Sequence, residues 1–178
     1  MTPIAAPNPV KPIITSQKPV LFARVPSILG PLLLVSDGDA LIGLYTDQQK
    51  YFPSVGPTWI ESERWFRPVQ EELDAYFAGS LRQFQTPVAP RGTAFQEAVW
   101  KALLSIPYGT TTTYAEIAKM LGRPDAVRAV GAANGRNPIS IIIPCHRVVG
   151  SGGSLVGYAG GIDRKRRLLD IERAAGIS

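Results

Sequence analysis

The chain has 178 residues, 45% of them hydrophobic and 19% charged, with a net charge of +5. That balance describes one globular domain or two small ones, and no apolar run approaches the roughly 20 residues of a membrane span. A single cysteine excludes an internal disulfide and fits a reducing compartment; with a single histidine it also excludes a Cys/His zinc site, which takes about four such ligands.

Residues 1–19 hold five prolines and no continuous apolar run, which predicts an extended, poorly ordered tail and argues against a secretory signal. GPLLLVSDGDALIGLYT (30–46) is two apolar runs around Ser36-Asp37-Gly38-Asp39, a hairpin pattern. ERWFRPVQEELDAYFAG (63–79) sets Phe66, Val69, Leu73, Tyr76 and Phe77 on one helical face. Gly79 is its stop, and Pro68 marks where the regular helix is expected to start. A small sheet with one helix is therefore expected over 20–80. LRQFQTPVAPRG (81–92) has no clean period and reads as a linker.

From Thr93 the chain turns helical. Thr93 and Gln96 form a capping box ahead of Phe95, Val99, Ala102, Leu103 and Ile106, a stripe ended by Pro107. Thr113 and Glu116 form a second box, ahead of Tyr114, Ile117, Ala118 and Leu121, ended by Gly122. DAVRAVGAANG (125–135) is a third helix with Val127 and Val130 inward. Two short helices joined by a glycine-containing turn make a helix-turn-helix pattern. IIIP (141–144) then reads as a buried strand-like segment, and Gly150 to Ser154 as a loop or small wing. Asp163 is placed to cap a last helix with Leu168, Leu169 and Ile171 inward. The expected class is α+β: a small N-terminal sheet-plus-helix domain, then a mainly helical winged helix-turn-helix domain over 93–178.

Charge is uneven. Residues 91–178 carry 12 Lys/Arg against 6 Asp/Glu, and residues 1–90 carry 7 against 8. A basic C-terminal half suits a polyanion, nucleic acid first; ordinary solubilising charge would look the same. The second helix of the pair is unusual for a reader of base edges, because it offers Ala129, Gly131, Ala132, Ala133 and Gly135 with Arg128 as its one long side chain. Small residues would let a helix about 10–12 Å across enter a widened minor groove, ~6 Å wide at rest. They would equally permit a tight helix–helix contact, and the residues alone leave both readings open.

NPISIIIPCHRVVG (137–150) holds the only cysteine, Cys145, beside the only histidine, His146. A lone cysteine is commonly an inert buried residue. Here Pro144 fixes the backbone before it, and His146 and Arg147 are neighbours of the kind that lower a thiol pKa. In an extended segment adjacent side chains point to opposite faces, so His146 should reach the thiol through a bridging water. Glu172 is the best remote partner for the imidazole, although a carboxylate there reads first as a surface group.

PCHRV (144–148), with RAVGAANGRNP (128–138) before it and GYAGG (157–161) after it, strongly resembles the O6-alkylguanine-DNA alkyltransferases. The resemblance is close over about residues 92–172 and only in outline before that, where it implies a ribonuclease H-like domain. It implies direct-reversal DNA repair: binding of double-stranded DNA by the minor groove, extrusion of O6-alkylguanine or O4-alkylthymine, and transfer of the alkyl group to Cys145 in one turnover. Cys145 is then the acceptor, with His146 and Glu172 as its proton relay and Asn137 as the hinge between recognition helix and active-site segment. Arg128 fills the gap left by the extruded nucleotide, and Tyr114 turns the 3′ phosphate and later hydrogen-bonds the base. Ala129, Gly131, Ala132 and Gly135 face the DNA. The carbonyls of Cys145 and Val148 read the guanine amino group, Tyr158 walls the alkyl pocket with Gly160 and Ser140, and the Ala159 backbone approaches the guanine oxygen. Some relatives have Ser in place of Ala159 and Pro in place of Ser140. The resemblance implies no metal and no cofactor, a monomer able to assemble cooperatively on DNA, and a cytoplasmic place at the nucleoid in a prokaryote. A helix-turn-helix protein that binds or senses DNA without chemistry is the alternative; it would have no use for the thiol.

Overall fold

The apolar runs on either side of Asp37-Gly38 fold back on each other in the computed structural model, which describes residues 18–176. Most of the proline-rich tail, residues 1–17, lies outside the described residues. Strands β1 (Leu21–Val25), β2 (Leu32–Ser36) and β3 (Leu41–Thr46) form an antiparallel meander, and β4 (Ile60–Glu61) adds parallel to β1, giving the order β3-β2-β1-β4. The β2–β3 turn is set by Asp37, whose Oδ1 accepts from the Asp39 and Ala40 amides at 3.1 and 3.0 Å. Every residue of β2 is buried, and the pleat sorts them. Leu32 and Leu34 enter the main core, while Leu33 and Val35 join Phe22 on the other face under Tyr45 and Trp59.

Helix α1 (Glu63–Phe77) covers the main face with Phe66, Val69, Leu73 and Tyr76. It starts before Pro68, contrary to the sequence reading. Burial of Phe66 rewards the extra turn, and Pro68 is exposed, so water can serve the carbonyl the proline cannot. Residues 81–92 lie along the sheet: the Leu41 amide donates to Pro87 O and the Ala89 amide to Leu41 O, both at 2.9 Å.

Both capping boxes form, opening α2 (Ala94–Leu103) and α3 (Tyr114–Met120). In α2 the buried set is Val99, Trp100 and Leu103, and the Trp100 indole donates to Ala133 O at 2.9 Å. Helix α4 (Val127–Gly135) follows the turn after α3, and α5 (Ile162–Ala175) closes the fold. A parallel pair, β5 (Thr112–Thr113) with β6 (Val148–Val149), forms the small wing sheet.

Four local expectations change. Val127 is exposed; Ala133 and Asn134 join Val130 on the inner face of α4. Asp163 lies in the first turn of α5 behind Gly161 and makes no cap bond. The inner face of α5 uses Lys165 and Glu172 with Leu168 and Leu169, while Ile171 is only half-buried. IIIP is buried but is not a strand. Only Ile139 bridges a strand residue, Leu44; Ile141 then takes a left-handed φ of 73°, and Cys145–Arg147 is a 3-10 turn. An apolar run reports burial, and with no neighbour strand to pair with, this one folds into turns. No helix among the described residues is long and apolar enough to cross a membrane.

Candidate active site

Cys145 opens the 3-10 turn and is 4% exposed. Its loop is held by two asparagines. Asn137 accepts from the Ile139 amide at 3.0 Å and donates to Ile143 O at 2.8 Å, supplying bonds a neighbouring strand would otherwise provide. Asn134 Nδ2 reaches Cys145 O at 3.4 Å. Burial keeps the Cys145 thiol above its usual value; the Asn137 amide and the Lys165 ammonium offset this only in part, and the His146 and Arg147 side chains, turned to Glu172, do not supply the lowering their place in the sequence suggested.

His146 turns one ring nitrogen to a fully buried carboxylate. Its Nε2 lies 2.8 Å from Glu172 Oε1, and both side chains are 0% exposed. Glu172, which the resemblance pairs with His146 although its place in the sequence alone suggests a surface group, is the hub of the site. Oε1 also accepts from Tyr76 OH at 2.7 Å and Arg147 NH2 at 3.0 Å; Oε2 accepts from Arg147 Nε and the Gly109 amide, both at 3.0 Å. Burial pushes this carboxyl up, but His146 and Arg147 outweigh it and hold it at about 2. An ionised carboxylate only accepts, so Nε2 carries the proton and Nδ1 is a bare lone pair. Nδ1 is buried with no hydrogen-bond partner among the described residues. Burial pulls the imidazole pKa below its usual value, against the pull of Glu172, so the ring is neutral at neutral pH.

Lys165 is the third buried group. Its Nζ donates to Val148 O at 2.5 Å and Val156 O at 2.7 Å, and burial lowers its pKa to about 8. Tyr114 OH also donates to Val156 O, at 3.1 Å. Gly157 must stay small beneath it, because an added Cβ would lie 2.8 Å from that hydroxyl. A cavity of about 380 Å³ is lined by Tyr158, Ala159 and Gly157 on one side and Gly131, Ala132 and Gly135 of α4 on another. Lys50 and Tyr51 of the N-terminal unit close it, and the Lys50 amide donates to Ala159 O at 3.1 Å. The Tyr158 hydroxyl is buried with no partner among the described residues, and Ser140 and Gly160 are buried close by. An added Cβ on Gly160 would lie 2.8 Å from both Tyr158 Cε1 and Thr46 Oγ1.

On α4, Arg128, Ala129 and Ala132 are exposed. A Cβ added at Gly135 would meet nothing within 4 Å, and one at Gly131 only the Tyr114 ring at 3.8 Å. The small residues at these positions are therefore not required by helix packing. The structure thus brings Cys145, His146, Glu172 and Asn137 together, and sets Tyr158, Ala159 and the small face of α4 around one cavity, with Tyr114 packed behind its Gly131 and Gly157. Sequence reasoning missed Tyr76, Arg147 as a clamp on Glu172, and Lys165. Tyr76 was visible only as a core position, and a lysine beside Arg164, Arg166 and Arg167 carries no signal of burial.

Two family models match the chain: the 6-O-methylguanine DNA methyltransferase ribonuclease-like domain over residues 20–90 and the DNA binding domain of the same description over residues 94–174. A methylated-DNA–protein-cysteine methyltransferase of Methanosarcina acetivorans is 50% identical over 151 residues, covering 85% of this chain and 97% of its own. One from Mycobacterium bovis is 50% identical over 153 residues, covering 86% and 92%. The crystal structure of Mycobacterium tuberculosis OGT in complex with DNA superposes with a TM-score of 0.82 at 47% identity, covering 87% of this chain and 94% of that one. A buried thiol beside a fixed imidazole–carboxylate pair, a helix-turn-helix bearing a small-residue face, and near full-length similarity lead to one family: this chain belongs to the 6-O-methylguanine DNA methyltransferases, the methylated-DNA–protein-cysteine methyltransferases.

Proposed function

We propose that Cys145 Sγ takes the alkyl group from the O6 of guanine, or the O4 of thymine, in double-stranded DNA, once per molecule. The observation that carries this reading is the bare, buried Nδ1 of His146, which the Nε2–Glu172 bond leaves free to accept a proton. A bridging water relays the thiol proton to Nδ1. The thiolate then attacks the alkyl carbon: the S–C bond forms, the C–O bond breaks, and the electron pair goes to the base, which takes up the proton. The product thioether is not hydrolysed, so no free thiol returns.

A base inside a duplex cannot reach the thiol of a residue only 4% exposed, so it must leave the stack, at a cost of a few kcal/mol. Helix α4 approaches the minor groove through Ala129, Gly131, Ala132 and Gly135, and Arg128 occupies the gap. The flipped base enters between Tyr158, Ala159 and Gly160, with Val148 O and Cys145 O as acceptors for its amino group. Val148 O already holds one donor, Lys165, and keeps a second lone pair; Cys145 O holds the Val148 amide and the long 3.4 Å contact from Asn134, which the base amino group displaces. Tyr114 exchanges its bond to Val156 O for one to the departing base, where a donor stabilises the developing charge. The similarity to a relative solved with DNA supports the partner.

The test is intact-mass measurement after exposure to a duplex bearing O6-methylguanine. The expected result is one added methyl group per chain, on Cys145, with repair stopping at one lesion per protein. Lesion loss with Cys145 unmodified, or repeated turnover, would refute the reading, and DNA binding with no mass change would favour a non-catalytic lesion binder.

A further inference from the structure

The relay is completed by a residue from the other end of the chain. Tyr76 lies on α1, 96 residues before Glu172, and is fully buried. Its hydroxyl donates to Glu172 Oε1 at 2.7 Å and sits 3.4 Å from His146 Nε2. Oε1 is thus approached by the tyrosine hydroxyl, the imidazole N–H and the Arg147 guanidinium together. We propose that Tyr76 is a positioning residue for alkyl transfer: it pins Glu172 Oε1 on His146 Nε2 and so keeps the imidazole in the tautomer that presents Nδ1 to the thiol side.

Geometry supports this. Glu172 has another strong partner in Arg147, which can take both carboxylate oxygens side by side. Arg147 is itself anchored to Ile106 O at 2.6 Å. Arg147 therefore competes with the imidazole for Oε1, which it also meets at 3.0 Å. Tyr76 biases that competition, because its donor from α1 meets Oε1 at 2.7 Å while lying 3.4 Å from Nε2, and so holds the two together. Burial and the neighbouring Glu172 charge raise the phenol far above its usual range, so it stays a protonated donor at every working pH. The charged and titratable groups facing His146 are Glu172 and Lys165 from α5, Arg147 beside it, and Tyr76 from α1; Tyr108 completes the set around Glu172. The N-terminal unit on this view contributes a hydrogen bond to the reaction as well as a scaffold.

The inference rests on Cys145 being the acceptor, and the parent protein in the same assay tests that separately. Tyr76→Phe removes one oxygen and keeps the ring against Phe77, Phe84 and Tyr108. Tyr108→Phe is the control: it removes a neighbouring buried hydroxyl that has no hydrogen-bond partner among the described residues. At saturating lesion-bearing duplex, Tyr76→Phe is expected to slow the single-turnover methylation rate about tenfold, the scale of one hydrogen bond to a charged group, with DNA affinity unchanged. Tyr108→Phe is expected to leave the rate alone.

The chain has one histidine, so 15N-histidine labelling gives a single imidazole to observe. The parent should show a pyridine-like Nδ1 and a pyrrole-like Nε2, and Tyr76→Phe a mixture of tautomers. A parent that is methylated while Tyr76→Phe matches it in rate and tautomer overturns the inference and leaves the function standing. Equal slowing of both variants assigns the effect to loss of any buried hydroxyl near Glu172, bonded or not, and also overturns it. A parent that is not methylated sinks the functional reading itself.

Discussion

Glu172 shows how one side chain can depend on its surroundings at every atom. A buried carboxylate is costly unless its lone pairs are filled, and here donors from Tyr76, His146, Arg147 and Gly109 fill them. Removing the charge leaves Arg147 and His146 buried without their partner, so Glu172→Gln is expected to lose about 3–5 kcal/mol of stability at neutral pH. The carboxyl falls from an unfolded value near 4.5 to about 2 in the folded protein. Its stabilisation is therefore full above pH 4.5 and lost as pH falls toward 2. Denaturant unfolding of both proteins across that range should show the deficit of Glu172→Gln shrinking with acid. A deficit independent of pH would mean that ion pairing is not its source.

Helix α4 poses the question its sequence left open: whether its small residues serve packing or approach. The open space at Gly135 and the ordinary contact at Gly131 decide against packing at those two positions. Glycine costs a helix interior about 1 kcal/mol relative to alanine, and packing within the free protein gives nothing in return at Gly131. Gly131→Ala is accordingly expected to raise thermal stability, by up to about 1 kcal/mol, and to weaken binding to duplex DNA by crowding the approach. Calorimetry and a binding titration on the same variant check both halves. A stabilised variant with unchanged affinity would show that α4 does not approach DNA along this face.

Across the whole molecule, the N-terminal sheet unit and the C-terminal helical unit share one core. Leu34, Leu44, Leu73 and Tyr76 belong to the same cluster as Val99, Ile117, Ile143 and Leu168. Polar ties cross as well. The Leu44 amide donates to Pro138 O and the Ser140 amide to Leu44 O, both at 2.9 Å, next to the active-site loop. Arg164 of α5 donates to Leu29 O at 3.0 Å and Asp47 O at 2.8 Å. Two units joined this way should unfold as one. Far-UV circular dichroism, tryptophan fluorescence and calorimetry are expected to report a single coincident transition, although Trp59 and Trp65 lie in one unit and Trp100 in the other. Separate transitions for the two would show that the shared core does not couple them.

The sequence alone determined what short-range physics controls. The hairpin around Asp37-Gly38, the two capping boxes, the helix pair and the Cys145–His146 motif all rest on residues a few positions apart, whose hydrogen bonds and periodicity form locally. Tertiary structure decided which charges are buried and what they meet. Arg147, Lys165 and Tyr76 look like surface or core residues in isolation, and they join Glu172 in one site only when α1 and α5 bring their side chains to the 3-10 turn. The same cause turned IIIP from a strand into turns and left Val127 exposed: the partner that fixes a segment's shape was supplied, or withheld, by a distant part of the chain.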